Sequence, residues 1–194
     1  MPQNDKATPS KKFSSAAILT HWLSFAVVSL TFALGWLREF LENFGWDDQA
    51  LAVHRQTGLI VLLLLAVRIG LRAYPRTANE KIISGNWLDL LSTASHWLLY
   101  VLLALMPLLG WAMTNAQGHS VQLLGLIYLP QILNVDPDWA DTLQEWHETS
   151  GETLLILVGI HAAAALFHHY VLKDDVLVGM VPCLDKDGTE QSVD

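Results

Sequence analysis

The sequence predicts an all-α fold, an integral membrane four-helix bundle with both termini cytoplasmic. Of the 194 residues, 52% are hydrophobic and only 15% are charged. The charged residues lie at the edges of long apolar runs, a distribution that is typical of a membrane domain. A helix needs about 20 apolar residues to cross the hydrocarbon of a bilayer, and four runs reach that length. Because the number of spans is even, both termini lie on the same side.

The apolar runs define the domain organisation. The predicted spans are Ala16–Leu37, Leu51–Leu71, Ser92–Met113 and His147–Leu172. We divide the chain into a polar N-terminal segment (1–12), one transmembrane domain (13–172) and a C-terminal tail (173–194), because the parts outside the spans are too short to form a core of their own. The first run has the length of a span rather than of a secretion signal, so we expect it to stay in the membrane as an anchor.

Local features mark the connections between these spans. The acidic stretch Glu39–Asp48 is predicted to form a short loop after the first span. Tyr74 and Pro75 end the second span, because the residue before a proline disfavours the helical conformation. Pro107 lies inside the third span, where it removes one backbone donor. The apolar piece Val121–Leu133 is too short to cross, so we expect it to lie along the interface or to cap the bundle.

The distribution of charge predicts the orientation of the bundle. The side of the termini, which we call inner, collects most of the basic residues: Lys6, Lys11, Lys12, Arg68, Arg72, Arg76, Lys81, Lys173 and Lys186. The outer side holds only Arg38 and Arg55, together with nine acidic residues: Glu39, Glu42, Asp47, Asp48, Asp136, Asp138, Asp141, Glu145 and Glu148. By the positive-inside rule the termini are therefore cytoplasmic. The formal net charge of −8 at pH 7 argues against a nucleic-acid partner.

The cysteine content excludes several redox centres. Cys183 is the single cysteine. One cysteine cannot form an internal disulfide, a cysteine-ligated iron–sulfur cluster or the C-x-x-C-H attachment of a c-type heme. Any heme in this protein must therefore be held without a covalent link.

Five of the eight histidines lie within the predicted spans or at their ends with apolar surroundings: His21, His54, His96, His147 and His161. His168 and His169 close the fourth span, and His119 lies in the outer loop. Ionisable groups inside a bilayer are costly and usually serve a function. His147 and His161 are fourteen residues apart, which places them within about 40° of one helix face and about 21 Å apart along the axis. By depth, His54 is level with His147, and His21 is level with His161. The topology alone therefore predicts the pairs His54–His147 and His21–His161.

Two histidine pairs between helices suit two b-type hemes better than zinc, which needs three or four ligands at one point. Iron with two imidazole ligands leaves no open position for oxygen, and this favours electron transfer. Gly58, Gly151 and Ala162–Ala165 lie near these histidines and leave room for a flat macrocycle. The alternative is that single histidines in spans are hydrogen-bonded packing residues and that the small residues form helix contacts.

Three sequence blocks carry a resemblance to a known family. They are Leu19-Thr20-His21-Trp22-Leu23 in the first span, Val53-His54 through Val67-Arg68 in the second, and Trp146-His147-Glu148 with Gly159-Ile160-His161 through His168-His169-Tyr170 in the fourth. Over about residues 13–182 the chain resembles the bacterial cytochrome b561 family. The resemblance implies two non-covalent hemes b. It implies His21 and His161 as the axial iron ligands of the inner heme, and His54 and His147 as those of the outer heme.

The resemblance also implies an activity. A superoxide-oxidising member of that family takes an electron from superoxide on the periplasmic side and reduces ubiquinone. The chain is therefore expected to be a superoxide:quinone oxidoreductase-like enzyme, multi-pass in the bacterial inner membrane. The quinone pocket is expected near the cytoplasmic helix ends, where His168, Arg72 and Lys81 are the candidate contacts. A quinone that is being reduced needs hydrogen-bond donors and protons, which histidine supplies in the useful pH range.

Two questions about the electron donor stay open. One alternative function is a heme-bearing membrane anchor subunit that relays electrons from a separate dehydrogenase or hydrogenase to quinone. The acidic outer side slows the approach of anionic superoxide unless Arg38 and Arg55 form a local positive patch. The same acidic side is suited to docking a cationic soluble electron carrier.

Overall fold

A computed structural model of the chain describes residues 14–73, 87–173 and 177–181. It contains four long helices, α1 (Ser15–Glu42), α2 (Asp47–Ala73), α3 (Trp87–Ala116) and α4 (Pro137–Phe167), and α4 continues into a π-helical turn, His168–Leu172. Each of the four has the length and apolar composition of a membrane span. The predicted all-α fold with four spans is confirmed. We call the end of the bundle with Ser15, Ala73 and Phe167 the inner end, and the end with Glu42, Asp47 and Pro137 the outer end.

The helices extend beyond the predicted spans at the outer end. Most of the stretch Glu39–Asp48, predicted as a loop, is helical, because α1 runs to Glu42 and α2 begins at Asp47. The helix α4 begins ten residues before His147, at Pro137. The Asp136 carboxylate accepts hydrogen bonds from the backbone N–H groups of Asp138 and Trp139, and the following proline has a backbone conformation suited to a first helical turn. A capped helix can thus start in water, outside the hydrocarbon.

The four helices form two packed pairs. The helix α1 packs against α2, and α3 packs against α4, while α2 and α3 provide the helix contact between the pairs. Within the described residues, no Cα atom of α4 comes within 8 Å of a Cα atom of α1 or α2. The backbone of α4 therefore stands apart from α1 and α2, and side chains fill the space between them.

The middle of the bundle is a small apolar cluster. Leu99, Leu102 and Leu154 are buried there, and Phe32 and Met106 pack against them. Outside this cluster many large apolar side chains are exposed, as expected for helices whose outer faces contact lipid. The cluster separates an outer layer of polar side chains from an inner one.

Several hydroxyl groups inside the spans donate hydrogen bonds within their own helices. Each donates to a carbonyl three or four residues earlier, a bond that intramembrane Ser and Thr commonly make. These residues are Thr20, Ser24, Thr31, Thr57 and Thr114. None of them therefore needs water or a partner helix.

A short hairpin covers part of the outer end between α3 and α4. Its strands, Gln122–Leu123 and Ile127–Tyr128, pair antiparallel. The side chain of Gln56 on α2 holds the hairpin, because Nε2 donates to the Gln122 carbonyl at 2.8 Å and Oε1 accepts from the Leu124 N–H at 2.6 Å. The apolar segment Val121–Leu133 was predicted to lie along the interface or to cap the bundle. Its hairpin covers the outer end and is fixed to α2 through Gln56.

Replacing Gln56 with leucine is expected to lower the free energy of unfolding by about 1–3 kcal/mol, because it leaves two backbone groups of the hairpin without partners. Thermal denaturation of the purified protein measures the loss. The control is Gln144→Leu, which removes an exposed contact with Glu148 and is expected to change stability by less than about 0.5 kcal/mol. Equal destabilisation by both substitutions contradicts the assigned role of Gln56.

Candidate functional site

The outer layer brings His54 of α2 and His147 of α4 together. Their ring centroids are 6.2 Å apart and the ring planes are inclined by 71°. Both side chains are half-buried. The two rings meet across the space where the backbones of α2 and α4 do not approach each other, so the pair bridges the two halves of the bundle.

Each outer histidine is oriented by a backbone carbonyl of its packed neighbour. Nδ1 of His54 lies 2.9 Å from the Thr31 oxygen on α1, and Nδ1 of His147 lies 3.1 Å from the Met106 oxygen on α3. A carbonyl only accepts, so the proton of each ring is on Nδ1. The opposite nitrogen, Nε2, is then the one that can bind a metal, and the hydrogen bond makes it a stronger ligand.

Two glycines leave room for the histidine rings at these hydrogen bonds. Gly35 and Gly110 each lie four residues after the accepting carbonyl, and a helical side chain covers the turn that precedes its own Cα. A Cβ atom at Gly35 would lie 3.4 Å from Cε1 of His54, and one at Gly110 would lie 3.3 Å from Cε1 of His147. The missing side chains thus give the imidazole rings their access to the backbone.

A cavity lies beside the outer pair. Apart from the two histidines and one threonine, its walls are apolar. The lining residues are Val28, Thr31, Phe32, His54, Gly58, Val61, Leu103, Met106, Pro107, His147 and Leu154. Such walls suit a large, mostly apolar cofactor and keep water from it.

The inner layer brings His21 of α1 and His161 of α4 together. Their ring centroids are 6.4 Å apart, and both side chains are half-buried. Nδ1 of His21 is buried and has no hydrogen-bond partner among the described residues. The Trp22 ring meets the His21 ring edge-on at 5.5 Å, and its Nε1 donates to the Met180 carbonyl at 2.9 Å. The described part of the C-terminal tail therefore lies against the inner end of α1.

A third histidine lies at the inner layer. The ring centroid of His96 on α3 is 5.2 Å from that of His161, and its Nδ1 donates to the Ser92 carbonyl of its own helix at 2.6 Å. Ser92 lies four residues before His96, as Met106 lies four before Gly110. The Ser92 carbonyl of the inner layer thus corresponds to the Met106 carbonyl of the outer layer. His96 bonds to the first of these, and His147 bonds to the second.

One spacing relates the two layers on all four helices. Fourteen residues separate the members of each pair His21 and Gly35, His54 and Arg68, His96 and Gly110, and His147 and His161. Fourteen residues is close to a whole number of helical turns, so each helix presents one member to each layer. The same spacing that indicated His147 and His161 also indicates Gly35 and Gly110, which the sequence analysis missed.

The geometry of both histidine pairs fits a bis-imidazole heme. A bond between imidazole nitrogen and a metal ion is about 2 Å long, so two rings on opposite sides of one iron have centroids about 6 Å apart. The spacings of 6.2 and 6.4 Å match this value, and the 5.2 Å contact of His96 with His161 is shorter. Among the described residues no three His, Cys, Asp or Glu side chains converge as a zinc site requires.

Two of the three candidate quinone contacts are described by the structure, and both lie at or near the inner end. His168 begins the π-helical turn and is half-buried. Arg72 is exposed, and its Cζ atom lies 5.9 Å from the centroid of the Tyr100 ring. Lys81 lies outside the described residues. A π-helical turn often accompanies a functional site, which favours His168 among the three.

Comparisons with known proteins agree on one family. The family model of prokaryotic cytochrome b561 matches residues 12–183. A probable superoxide oxidase CybB from Yersinia pestis is 31% identical over 172 residues, which cover 89% of this chain and 97% of the relative. Cytochrome b561 homolog 1 from Escherichia coli K12 is 28% identical over 180 residues, covering 88% and 97%. Cytochrome b562 from Cereibacter sphaeroides is 28% identical over 182 residues, covering 90% and 98%.

Proposed function

The chain belongs to the prokaryotic cytochrome b561 family, and from this premise we propose that it is a transmembrane diheme b-type cytochrome. In this proposal it oxidises superoxide, or a related one-electron donor, at the periplasmic side and reduces ubiquinone in the membrane. One observation carries the proposal: two histidine pairs lie at two depths of one bundle. The ring centroids are 6.2 Å apart in the outer pair and 6.4 Å apart in the inner pair. The relative named as a probable superoxide oxidase supports an oxidoreductase role.

The histidines are the proposed axial ligands of two non-covalent hemes b. His54 and His147 hold the outer heme, and His21 and His161 hold the inner one. When bound, the hemes supply reversible one-electron transfer between the two sides of the membrane. The Thr31 and Met106 carbonyls fix the two outer rings, and the apolar walls around them exclude water. The protein thereby orients the outer ligands before the cofactor binds.

The acceptor side is proposed to be the inner end. Ubiquinone takes up two electrons and two protons, so two superoxide anions are oxidised to dioxygen for each quinol that forms. The protons must reach the quinone oxygens from side chains or water at this end. His168, Arg72 and Lys81 are the proposed contacts. The membrane is the bacterial inner membrane in this proposal, with both termini and the segments 1–12 and 173–194 on the cytoplasmic side of the heme domain 13–172.

A second candidate function is a heme-bearing membrane anchor that relays electrons from a separate dehydrogenase or hydrogenase. One observation at the outer end favours it: the hairpin exposes large apolar side chains such as Leu126 (82% exposed), and the first turn of α4 carries the acidic residue Asp138. Such a surface suits a protein partner. Co-purification with a soluble redox subunit supports this function, whereas quinone reduction by the isolated chain with superoxide as the only electron donor contradicts it.

An anaerobic titration of the detergent-purified protein tests the first function against the second. Superoxide is the reductant, the heme spectrum is followed, and ubiquinone is then added. Rapid reduction of both hemes, followed by reoxidation on addition of the quinone, is the expected result. Hemes that stay oxidised in superoxide exclude this donor and leave the partner-dependent anchor as the better account.

Replacing His168 with alanine is expected to slow the reoxidation of the hemes by quinone roughly 10²-fold, because a positioned acid or base contributes about this much to a proton transfer. Reduction by superoxide at the outer end is expected to be unchanged. Stopped-flow absorbance measures both steps. His169→Ala is the control, since the His169 ring contacts Tyr170 at 4.8 Å and has no proposed part in the reaction. If both variants slow the reoxidation by quinone equally, the result contradicts a specific contact between His168 and the quinone.

A further inference from the structure

Two arginines lie inside the membrane-spanning part of α2. The helix has 27 residues, or about 40 Å, and is therefore longer than the hydrocarbon of about 30 Å. With the helix centred in the bilayer, about residues 50–70 lie in the hydrocarbon, and this range includes Arg55 and Arg68. A charge at this depth needs a counter-ion or a polar partner.

Arg55 has an unsatisfied donor next to the outer histidine pair. Its side chain is half-buried, and its Nε atom is buried without a hydrogen-bond partner among the described residues. It follows His54 in the chain, and its charge acts on that ring. The charges of Asp48 and Arg38 both act on Arg55, but no described carboxylate forms an ion pair with it. The buried Nε is therefore a donor that still lacks an acceptor.

Arg68 has the corresponding place in the inner layer. Its charge acts on both His21 and His161. Its Cζ atom lies 5.9 Å from the centroid of the Tyr100 ring, and that residue is only 8% exposed. A guanidinium next to a ring keeps its in-plane N–H edge for an oxyanion. The Cζ atom of Arg72 lies 5.9 Å from the centroid of the same ring. No described carboxylate forms an ion pair with either arginine.

We propose that Arg55 and Arg68 bind the propionate carboxylates of the outer and the inner heme, respectively. The inference rests on the proposed function, because the hemes bring the anions. A b-type heme carries two carboxylates at the edge of its ring, so they would lie near the histidine pair that holds its iron. Lipid phosphate is the rival anion for Arg68, which lies two residues from the end of the range taken to cross the hydrocarbon, whereas Arg55 lies five residues from it. Arg68 lies fourteen residues after His54 on the same helix. This spacing places Arg68 in the inner layer, with His21 and His161, whereas His54 lies in the outer layer.

The assignment has a consequence for redox potential. A guanidinium close to a heme favours the reduced state, because reduction removes one positive charge from the iron. Each arginine should therefore raise the potential of its own heme and have little effect on the other, since the two layers are about 21 Å apart along the helices. This site-specific effect separates carboxylate binding from a general role in folding.

The experiment compares Arg55→Leu with Arg68→Leu, each of which is the control for the other. Purified protein with bound heme is titrated electrochemically, and the variants His147→Ala and His21→Ala identify the outer and inner spectral components. We expect each leucine variant to lower the potential of its own heme by at least a tenfold change in the equilibrium constant, or about 59 mV for one electron. Arg55→Lys and Arg68→Lys, which keep the charge, should shift it less.

Three results overturn the proposal. Potentials that do not change, or that fall equally for both hemes in each variant, remove the site-specific carboxylate contact. Unchanged potentials with loss of a co-purifying anionic phospholipid in Arg68→Leu assign that arginine to lipid phosphate instead. If a leucine variant binds no heme, glutamine at the same position (Arg55→Gln or Arg68→Gln) provides the comparison, because it also removes the charge. A glutamine variant whose heme keeps the wild-type potential overturns the proposal for that arginine. A colourless wild-type protein contradicts the proposed function itself, which is a different outcome from any of these.

Discussion

Replacing His161 with alanine is expected to halve the heme content per chain, removing the inner heme and leaving the outer one. The physical reason is that the two histidine pairs are separate, with ring centroids 6.4 Å apart in the inner pair and 6.2 Å apart in the outer pair. Loss of one axial ligand leaves an iron with a single imidazole. The outer ligands keep their hydrogen bonds to Thr31 and Met106, which lie on other helices. The heme-to-protein ratio and the reduced-minus-oxidised spectrum measure the result.

The matched variants for this prediction are His21→Ala and His96→Ala. Both histidines lie beside His161, but only His21 has the ring spacing expected across one iron, and the His96 ring contacts His161 at 5.2 Å. We expect His21→Ala to remove the inner heme and His96→Ala to retain both. The opposite pattern makes His96 the ligand and overturns the pairing of His21 with His161. Loss of neither heme in His161→Ala contradicts the ligand assignment altogether.

Substitution of Gly110 by leucine is expected to remove the outer heme as completely as loss of a ligand does. Even a Cβ atom at this position would lie 3.3 Å from Cε1 and 3.6 Å from Nδ1 of His147. A leucine side chain would therefore push the ring from the Met106 carbonyl and turn Nε2 away from the iron. We expect half of the heme to be lost, and the spectral component that remains should be the one lost in His161→Ala.

Two comparisons distinguish this effect from general damage to the helix. Gly110→Ala is expected to lower outer heme occupancy only in part, because the ring needs to move by only a few tenths of an ångström to admit one methyl group. Gly70→Leu is the control, since nothing lies within 4 Å of a Cβ atom at that position. Full retention of both hemes in Gly110→Leu means that the glycine has no part in positioning His147.

The number of spans and the depths of the histidines were predictable from the sequence. Span length follows from the thickness of the hydrocarbon, and depth follows from a rise of about 1.5 Å per residue. The arithmetic of fourteen residues between His147 and His161 therefore predicted which histidines are level, and the structure places the rings of both pairs together. Their role as heme ligands remains a prediction. Helix ends were less predictable, because outside the hydrocarbon a polar sequence such as Glu39–Asp48 can be helix or loop.

The contacts between the helices became known only from the tertiary structure. The depth of a residue in the membrane follows from its position along one helix. The partner of its side chain depends on how two helices pack against each other. That is why the sequence predicted His54 as a ligand and missed Gly35, whose absent side chain leaves the Thr31 carbonyl open to it. It is also why the contact of Arg68 with the buried ring of Tyr100 was not predictable from the sequence. Four spans and two levels of histidine followed from the sequence alone. The carbonyls and glycines beside the outer pair, and the Tyr100 ring beside Arg68, became visible only once the helices were packed, because each of these contacts joins residues on different helices.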